Sequence, residues 1–267
     1  MRRGRLVVGA LVVAALIGGG VYVAVQRGIG PLPDPEKCVA EASNYSVAMS
    51  TEQAENASII AAVAERRGLP ARAISIAIAT AYQESKLENV EGGDRDSLGL
   101  FQQRPSQGWG TLAQVTDPVH AATAFYAKLR TEPDWPTLSV TEAAQLVQRS
   151  ATPEAYARWE PMARSLARAL TGEDPAAMTC HELTLSVPGE DVATVAAAEL
   201  GTSRLSGPQP TARGWAIATW LVAHAARLGL ESVTYDGRTW TADEGAWSDP
   251  GPSDGVLSLR RAARSAA

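Results

Sequence analysis

The stretch ARAISIAIATAYQES, Ala71–Ser85, constrains this chain more than any other. Ile74, Ile76, Ile78, Ala81 and Tyr82 point to several sides of a helix, which leaves no polar stripe for water. A helix that is apolar nearly all round is stable only when other elements surround it. The rest of the chain must therefore supply a shell. Pro70 stands where this helix would begin, and the pattern continues to about Leu87. Ahead of it, Ser50-Thr51-Glu52-Gln53 fits a capping box, and Ile59, Ile60 and Val63 form an apolar stripe that Gly68 ends. Behind it, residues 117–129, 140–148 and 153–170 have helical patterns. The Gly/Pro/Asp-bearing segment 171–191 then separates off a last third. There, residues 211–228 read as a helix, residues 231–240 as a hairpin turning at Asp236-Gly237, and residues 255–259 as a further strand. Trp215, Trp220, Trp240 and Trp247 are its expected core or groove residues.

The first segment concerns location. Arg2, Arg3 and Arg5 precede LVVGALVVAALIGGGVYVAV, residues 6–25, which carries no charge. At ~1.5 Å per residue that run crosses ~30 Å of hydrocarbon, and the arginines would stay on the cytoplasmic side. A cleaved signal peptide is the competing reading. It calls for an apolar core of about 7–15 residues and an A-x-A-like site, of which Gly28-Ile29-Gly30 is the nearest imitation. Length favours a retained anchor. The expected location is the cell membrane, single-pass with an extracellular C-terminal part, or secreted if the segment is cleaved.

Residues 1–27 contain four arginines and no acid, so beyond them 20 basic residues face 29 acidic ones, a net of −9. That charge argues against nucleic acid or a polyanionic wall polymer held by bulk electrostatics, and suits a neutral or zwitterionic substrate. Cys38 and Cys180 both fall on the exported side. There an even count points to a disulfide, which would close a loop of roughly 140 residues; two unrelated buried thiols are the alternative. With three histidines and no clustered ligands, a zinc site is not expected.

Glu84 is the one candidate for chemistry near the end of the apolar helix. Taken alone, a glutamate there is an ordinary solvated residue. Its setting changes that: the negative end of the helix dipole and the apolar surroundings both disfavour its charge. A carboxylic acid kept protonated is what general-acid cleavage of a glycosidic bond needs. The following residues suit a groove wall. Gly92-Gly93 permits a tight turn, Gly99 lets backbone approach a ligand, Gln102 and Gln103 offer amides to sugar hydroxyls, and Trp109 offers a stacking face or a core contact. Asp94 and Asp96 are candidates for a second carboxylate, with turn formation as their ordinary role. A retaining hydrolase needs the two at ~5–5.5 Å and an inverting one at ~6.5–9.5 Å.

Glu84-Ser85, followed by Ser97-Leu98-Gly99-Leu100-Phe101-Gln102, resembles the E-S … G-x-x-G-L-M-Q signature of soluble lytic transglycosylases in the lysozyme-like superfamily, at matching spacing. Ser97 stands for the usual Ala, Phe101 for Met, and Asp96 for a common Gly. DPVHAATAFYAKL, residues 117–129, is similar to the next helix of that family. Its A-Y-N-A-G segment is replaced by AAQLVQRSATPEAYARW, where Tyr156 is a candidate. The resemblance covers roughly residues 45–170 and is most specific over 83–103; the string GDRDSLGLFQQRPSQGWG is also similar to actinobacterial variants.

What it implies is a mainly α lysozyme-like domain, with Glu84 ending a buried helix opposite a small β-hairpin. Glu84 would protonate the leaving oxygen of a MurNAc–GlcNAc bond in peptidoglycan. It would then take the C6 hydroxyl proton as a 1,6-anhydro ring closes. Ser85, Ser97, Gln102, Gln103, Trp109 and Tyr156 would bind or orient the substrate. A hydrolytic muramidase and a glycan binder without turnover are the alternatives. GWAIATWLVAHAARLGLESVTYDGRTW, residues 214–240, is similar to a small module at the C-terminal ends of actinobacterial exported proteins. The expected order is an anchor at 1–27, a tether at 28–44, the lysozyme-like domain at 45–172, a linker at 173–190 and a small α+β module at 191–267.

Overall fold

A computed structural model describes residues 37–150, 152–187 and 189–262. The expected anchor and most of the tether lie outside these residues. Among the described residues no helix is long and apolar enough to cross a membrane.

In chain order, strands β1 (Lys37–Ala42) and β2 (Tyr45–Met49) lead into helices α1 (Thr51–Arg66) and α2 (Ala71–Ser85). Helices α3 (Leu112–Val115), α4 (Pro118–Leu129), α5 (Val140–Gln148) and α6 (Glu160–Leu170) follow, with a 3-10 stretch, Pro153–Trp159, ahead of α6. Strand β3 (Met178–His181) and helix α7 (Val192–Leu200) come next. They are followed by β4 (Gly207–Pro208), α8 (Thr211–Ala223), α9 (Ala225–Leu228), β5 (Leu230–Tyr235), β6 (Arg238–Thr241) and β7 (Val256–Arg261). The result is a mixed α+β fold with two small antiparallel sheets, ordered β2-β1-β3 and β4-β7-β5-β6.

The local signals place the elements they should. Ser50 Oγ accepts from Gln53 N at 3.1 Å and Gln53 Oε1 accepts from Ser50 N at 2.9 Å, closing the capping box of α1. Pro70 is the N-cap of α2. Asp236 and Gly237 take positive φ at the β5–β6 turn, the conformation that tight hairpins require. Helix α2 is central: Ile74, Ile76, Ile78 and Ala81 are wholly buried, and α6, α5 and α1 pack around it.

Helix α2 ends at Ser85, two residues short of the expected end, because Lys86 and Leu87 turn left-handed with φ of 61° and 65°. Such a conformation costs about 1–3 kcal/mol at a non-glycine residue, and side chains of α1 hold it. Gln53 Nε2 donates to Lys86 O and Asn56 Nδ2 to Leu87 O, both at 2.8 Å. Leu87 then buries its side chain completely.

Segment 173–190 contains β3, which pairs with β1 and brings Cys38 opposite Cys180 in register. The two are joined in a disulfide. Residues 191–262 pack on α1: Arg213 pairs with Glu65, Arg227 Nε lies 2.8 Å from Glu55, and Ser58 Oγ is 3.3 Å from His224 Nδ1. His224 is wholly buried, stacked on Trp220 and 3.0 Å from Glu199. Burial pushes the Glu199 carboxyl up, but His224, the Trp220 N–H and Arg227 outweigh it and hold the group below its ordinary value. Gly172 permits the close approach of α8, since a Cβ there would lie 2.2 Å from Ala212 O. The described residues fall within one compact unit.

Candidate active site

Glu84 is half-buried in the last turn of α2. Ser85 Oγ donates to Ala81 O in its own helix at 3.0 Å and to Leu100 O at 2.8 Å. The second bond ties the end of α2 to the loop that follows. That loop closes through reciprocal backbone bonds of 3.0 Å between Leu98 and Gln103, so the expected hairpin is a single bridge around Gly99-Leu100-Phe101-Gln102. Gly99 has a φ of 72°, and a Cβ on it would meet Val115 O at 2.2 Å. Here the glycine serves packing against the protein, in place of the expected approach to a ligand. Leu100 and Phe101 are wholly buried, and Phe101 stacks on Phe125 with centroids 4.6 Å apart. Two apolar side chains thus anchor the loop.

The polar side chains of the loop divide into two groups. Gln103 is 1% exposed and its Nε2 donates to Ala121 O at 3.0 Å. Ser97 is also buried and donates to Asp94 O at 2.7 Å and to Gln102 Oε1 at 3.1 Å. With Ser85, these two residues hold the scaffold: burial withdraws them from contact with a large substrate. Gln102 and Trp109 remain half-exposed. Gln102 lies so close to Gly93 that a Cβ there would collide with its side chain, which explains one glycine of the Gly92-Gly93 pair. The Trp109 ring packs in part against the core.

Tyr156 comes to the acid from the 3-10 stretch. Its O–H donates to Glu84 Oε1 at 2.8 Å, and the ring is wholly buried. Burial, then the charge and hydrogen bond of Glu84, push the phenol well above its ordinary value. Tyr156 therefore stays protonated and remains a donor to the carboxylate. If the chain cleaves glycan as the resemblance implies, Tyr156→Phe should lower turnover about tenfold or more, the scale of a lost hydrogen bond to a charged group. Initial rates of muropeptide release check this; a rate within twofold of the parent would discount the contact.

Four residues around this contact carried no sequence signal. Gln83 Oε1 accepts from Trp159 Nε1 at 2.8 Å and from Arg158 Nη2 at 2.9 Å. Trp159 packs on Tyr82 at 4.6 Å, and Lys86 Nζ lies 4.7 Å from the Trp159 ring centroid. Burial and then the Arg158 charge pull the Lys86 ammonium below its ordinary range, partly offset by Glu84. Two cations and two rings thus bracket the helix end that carries Glu84. Gln83 lies 75 residues from Arg158, so the group forms no contiguous motif and only the fold reveals it.

The two aspartates differ from this picture. Asp96 accepts from Arg104 Nε at 2.7 Å and from Ser106 N at 2.8 Å. The Arg104 bond first, and Ser106 second, hold its carboxyl far below the usual range. Asp94 is almost fully exposed, 3.8 Å from Arg95. Asp96 is thereby engaged as a turn residue.

Comparison with known proteins bears on a different part of the chain. Residues 191–255 match the family model described as VldE, C-terminal domain. That stretch runs from the N-cap of α7 to the residue before β7 and leaves Glu84 and its surroundings outside it. No curated protein matches the chain.

Proposed function

We propose that this chain cleaves the glycan strands of peptidoglycan at the MurNAc–GlcNAc β-1,4 bond, with Glu84 as the single general acid and base, on a lysozyme-like arrangement of α2 and the 97–103 loop. The Tyr156–Glu84 contact at the end of a buried helix carries this reading. A surface glutamate needs no buried phenol aimed at one of its oxygens. An acid that must present one defined oxygen to a substrate does.

With Oε1 held by Tyr156, Oε2 is the oxygen left to hold and deliver the proton. Glu84 gives it to the leaving glycosidic oxygen as the C1–O bond breaks. The resulting carboxylate takes the proton of the C6 hydroxyl, whose oxygen attacks C1 and closes the 1,6-anhydro ring. No water is consumed and no cofactor is called for. Half-exposed Gln102 is the proposed sugar contact, its amide oriented by Ser97 Oγ and Gly99 O. The two-carboxylate alternative loses support from Asp96, which is engaged with Arg104 and Ser106. Action outside the cytoplasm agrees with the Cys38–Cys180 disulfide, since such bonds persist in oxidising compartments.

Mass spectrometry of muropeptides released by the purified full-length chain tests the proposal. The expected products end in anhydro sugars about 18 Da lighter than reducing ends, the mass of the water a hydrolase would add. Reducing ends alone would replace this route with hydrolysis, and no soluble fragments would leave a glycan binder.

A further inference from the structure

The candidate acid and its phenol donor come from elements far apart in the chain, and the residue beside the acid joins those elements a second time. Gln83 precedes Glu84 on α2, and the 3-10 stretch Pro153–Trp159 carries Tyr156. Gln83 Oε1 accepts from Arg158 Nη2 at 2.9 Å and from Trp159 Nε1 at 2.8 Å. Both partners are donors only, so an acceptor must face them. Removing that one oxygen therefore releases two contacts.

A 3-10 stretch has poorer hydrogen-bond geometry than an α-helix and rarely sustains a long run by itself. This one spans seven residues and is fixed from outside at both ends. At its start Thr141 Oγ1, on α5, donates to Pro153 O at 3.0 Å. At its end stand the two Gln83 bonds. The Trp159 ring is further held against Tyr82 at 4.6 Å, with Lys86 Nζ and Arg158 Cζ each 4.7 Å from its centroid. Cations over an indole face add to such a hold.

Tyr156 lies between the two pins, one turn of the 3-10 stretch before Trp159. At ~2.0 Å of rise per residue that gap is about 6 Å, too short to absorb a shift of the end without moving the phenol. Burial keeps the ring in the core. The reach of its hydroxyl to Glu84 Oε1, 2.8 Å, depends on where that backbone sits.

We propose that Gln83 is a positioning residue for the candidate acid: it pins the end of the 3-10 stretch and so keeps the Tyr156 hydroxyl on Glu84. Gln83 acts through Tyr156 alone. Its effect on rate rests on the proposed glycan cleavage.

Gln83→Met tests this in the full-length chain. Methionine keeps the unbranched length and helix propensity of glutamine and removes the acceptor. The kcat for muropeptide release should fall about fivefold, short of the roughly tenfold loss for Tyr156→Phe, with KM within about twofold of the parent. The double variant separates the routes. Independent losses multiply to about fiftyfold, whereas an effect that runs through Tyr156 leaves the double variant within about twofold of Tyr156→Phe alone. A multiplied loss, or an unchanged kcat in Gln83→Met, overturns the proposal.

A spectroscopic reading needs no turnover. With carbon-13 at tyrosine Cζ, the Tyr156 resonance, assigned by its loss in Tyr156→Phe, should move toward that of free tyrosine in Gln83→Met. A resonance that stays in place refutes the link whatever the rates. If the parent releases nothing, the cleavage reading has failed, and this resonance alone decides whether Gln83 aims Tyr156.

Discussion

Glu84→Gln should reduce muropeptide release by at least about 1,000-fold, within the range that proton transfer by a positioned side chain contributes. The effect is expected at the upper end because in the proposed mechanism one group serves as both acid and base, so both halves of the reaction lose their proton carrier. The fold should be untouched. A glutamine oxygen can still accept the Tyr156 O–H, now 2.8 Å from Glu84 Oε1, and the side chain keeps its volume. Thermal unfolding of the variant should therefore superimpose on that of the parent while product formation collapses. Retention of more than a tenth of the parent rate would remove Glu84 from the chemistry. Binding of intact strands by the variant should persist, since the groove is unchanged.

Removing the disulfide should produce the largest loss of stability. Cys38 and Cys180 are 142 residues apart in sequence, and cross-linking so long a loop is worth up to about 4–5 kcal/mol in the chain-entropy model. For a chain of this size, each kcal/mol moves the melting temperature by about 2–4 °C. The Cys38→Ala/Cys180→Ala variant should then melt roughly 10–15 °C lower. Both cysteines are essentially unexposed, so alanine leaves no buried polar group behind. Local β1–β3 pairing remains available after the change, but ordering its two strands again requires closing the long loop without a covalent tie. Parallel calorimetric scans of parent and variant measure the difference. A shift below about 3 °C would mean that the remaining β1–β3 contacts suffice.

The legible parts of this chain were those whose cause is local. A capping box spans four residues, and Ser50 with Gln53 forms one. Pro70 starts a helix by its fixed φ, Asp236-Gly237 turns a hairpin, and an isoleucine-rich run must be buried wherever it sits. Glu84 stood out because the loop tied to its helix end through Ser85 follows it directly on the chain. The misses have equally physical causes. Strand β1 and strand β3 are each short and find their pairing partner about 140 residues away, so neither carries a sufficient pattern alone. The end of α2 moved because Gln53 and Asn56, on another helix, hold two left-handed residues in place. Ser85 Oγ, Ser97 Oγ and Gln103 Nε2 each donate to a main-chain carbonyl of the protein, contacts that the sequence did not announce.

By itself, the sequence determined a buried helix ending in a carboxylate, a glycine-bearing loop after it, and two cysteines available for one bond. Periodicity, capping and turn chemistry act over a few residues and can be read in order. The tertiary structure alone decided that Tyr156, 72 residues from Glu84, would hold it, that Asp96 would be engaged by Arg104, and that the last third would pack on α1. Those outcomes depend on which distant surfaces meet when the core closes, and contacts of that kind leave no spacing in the chain.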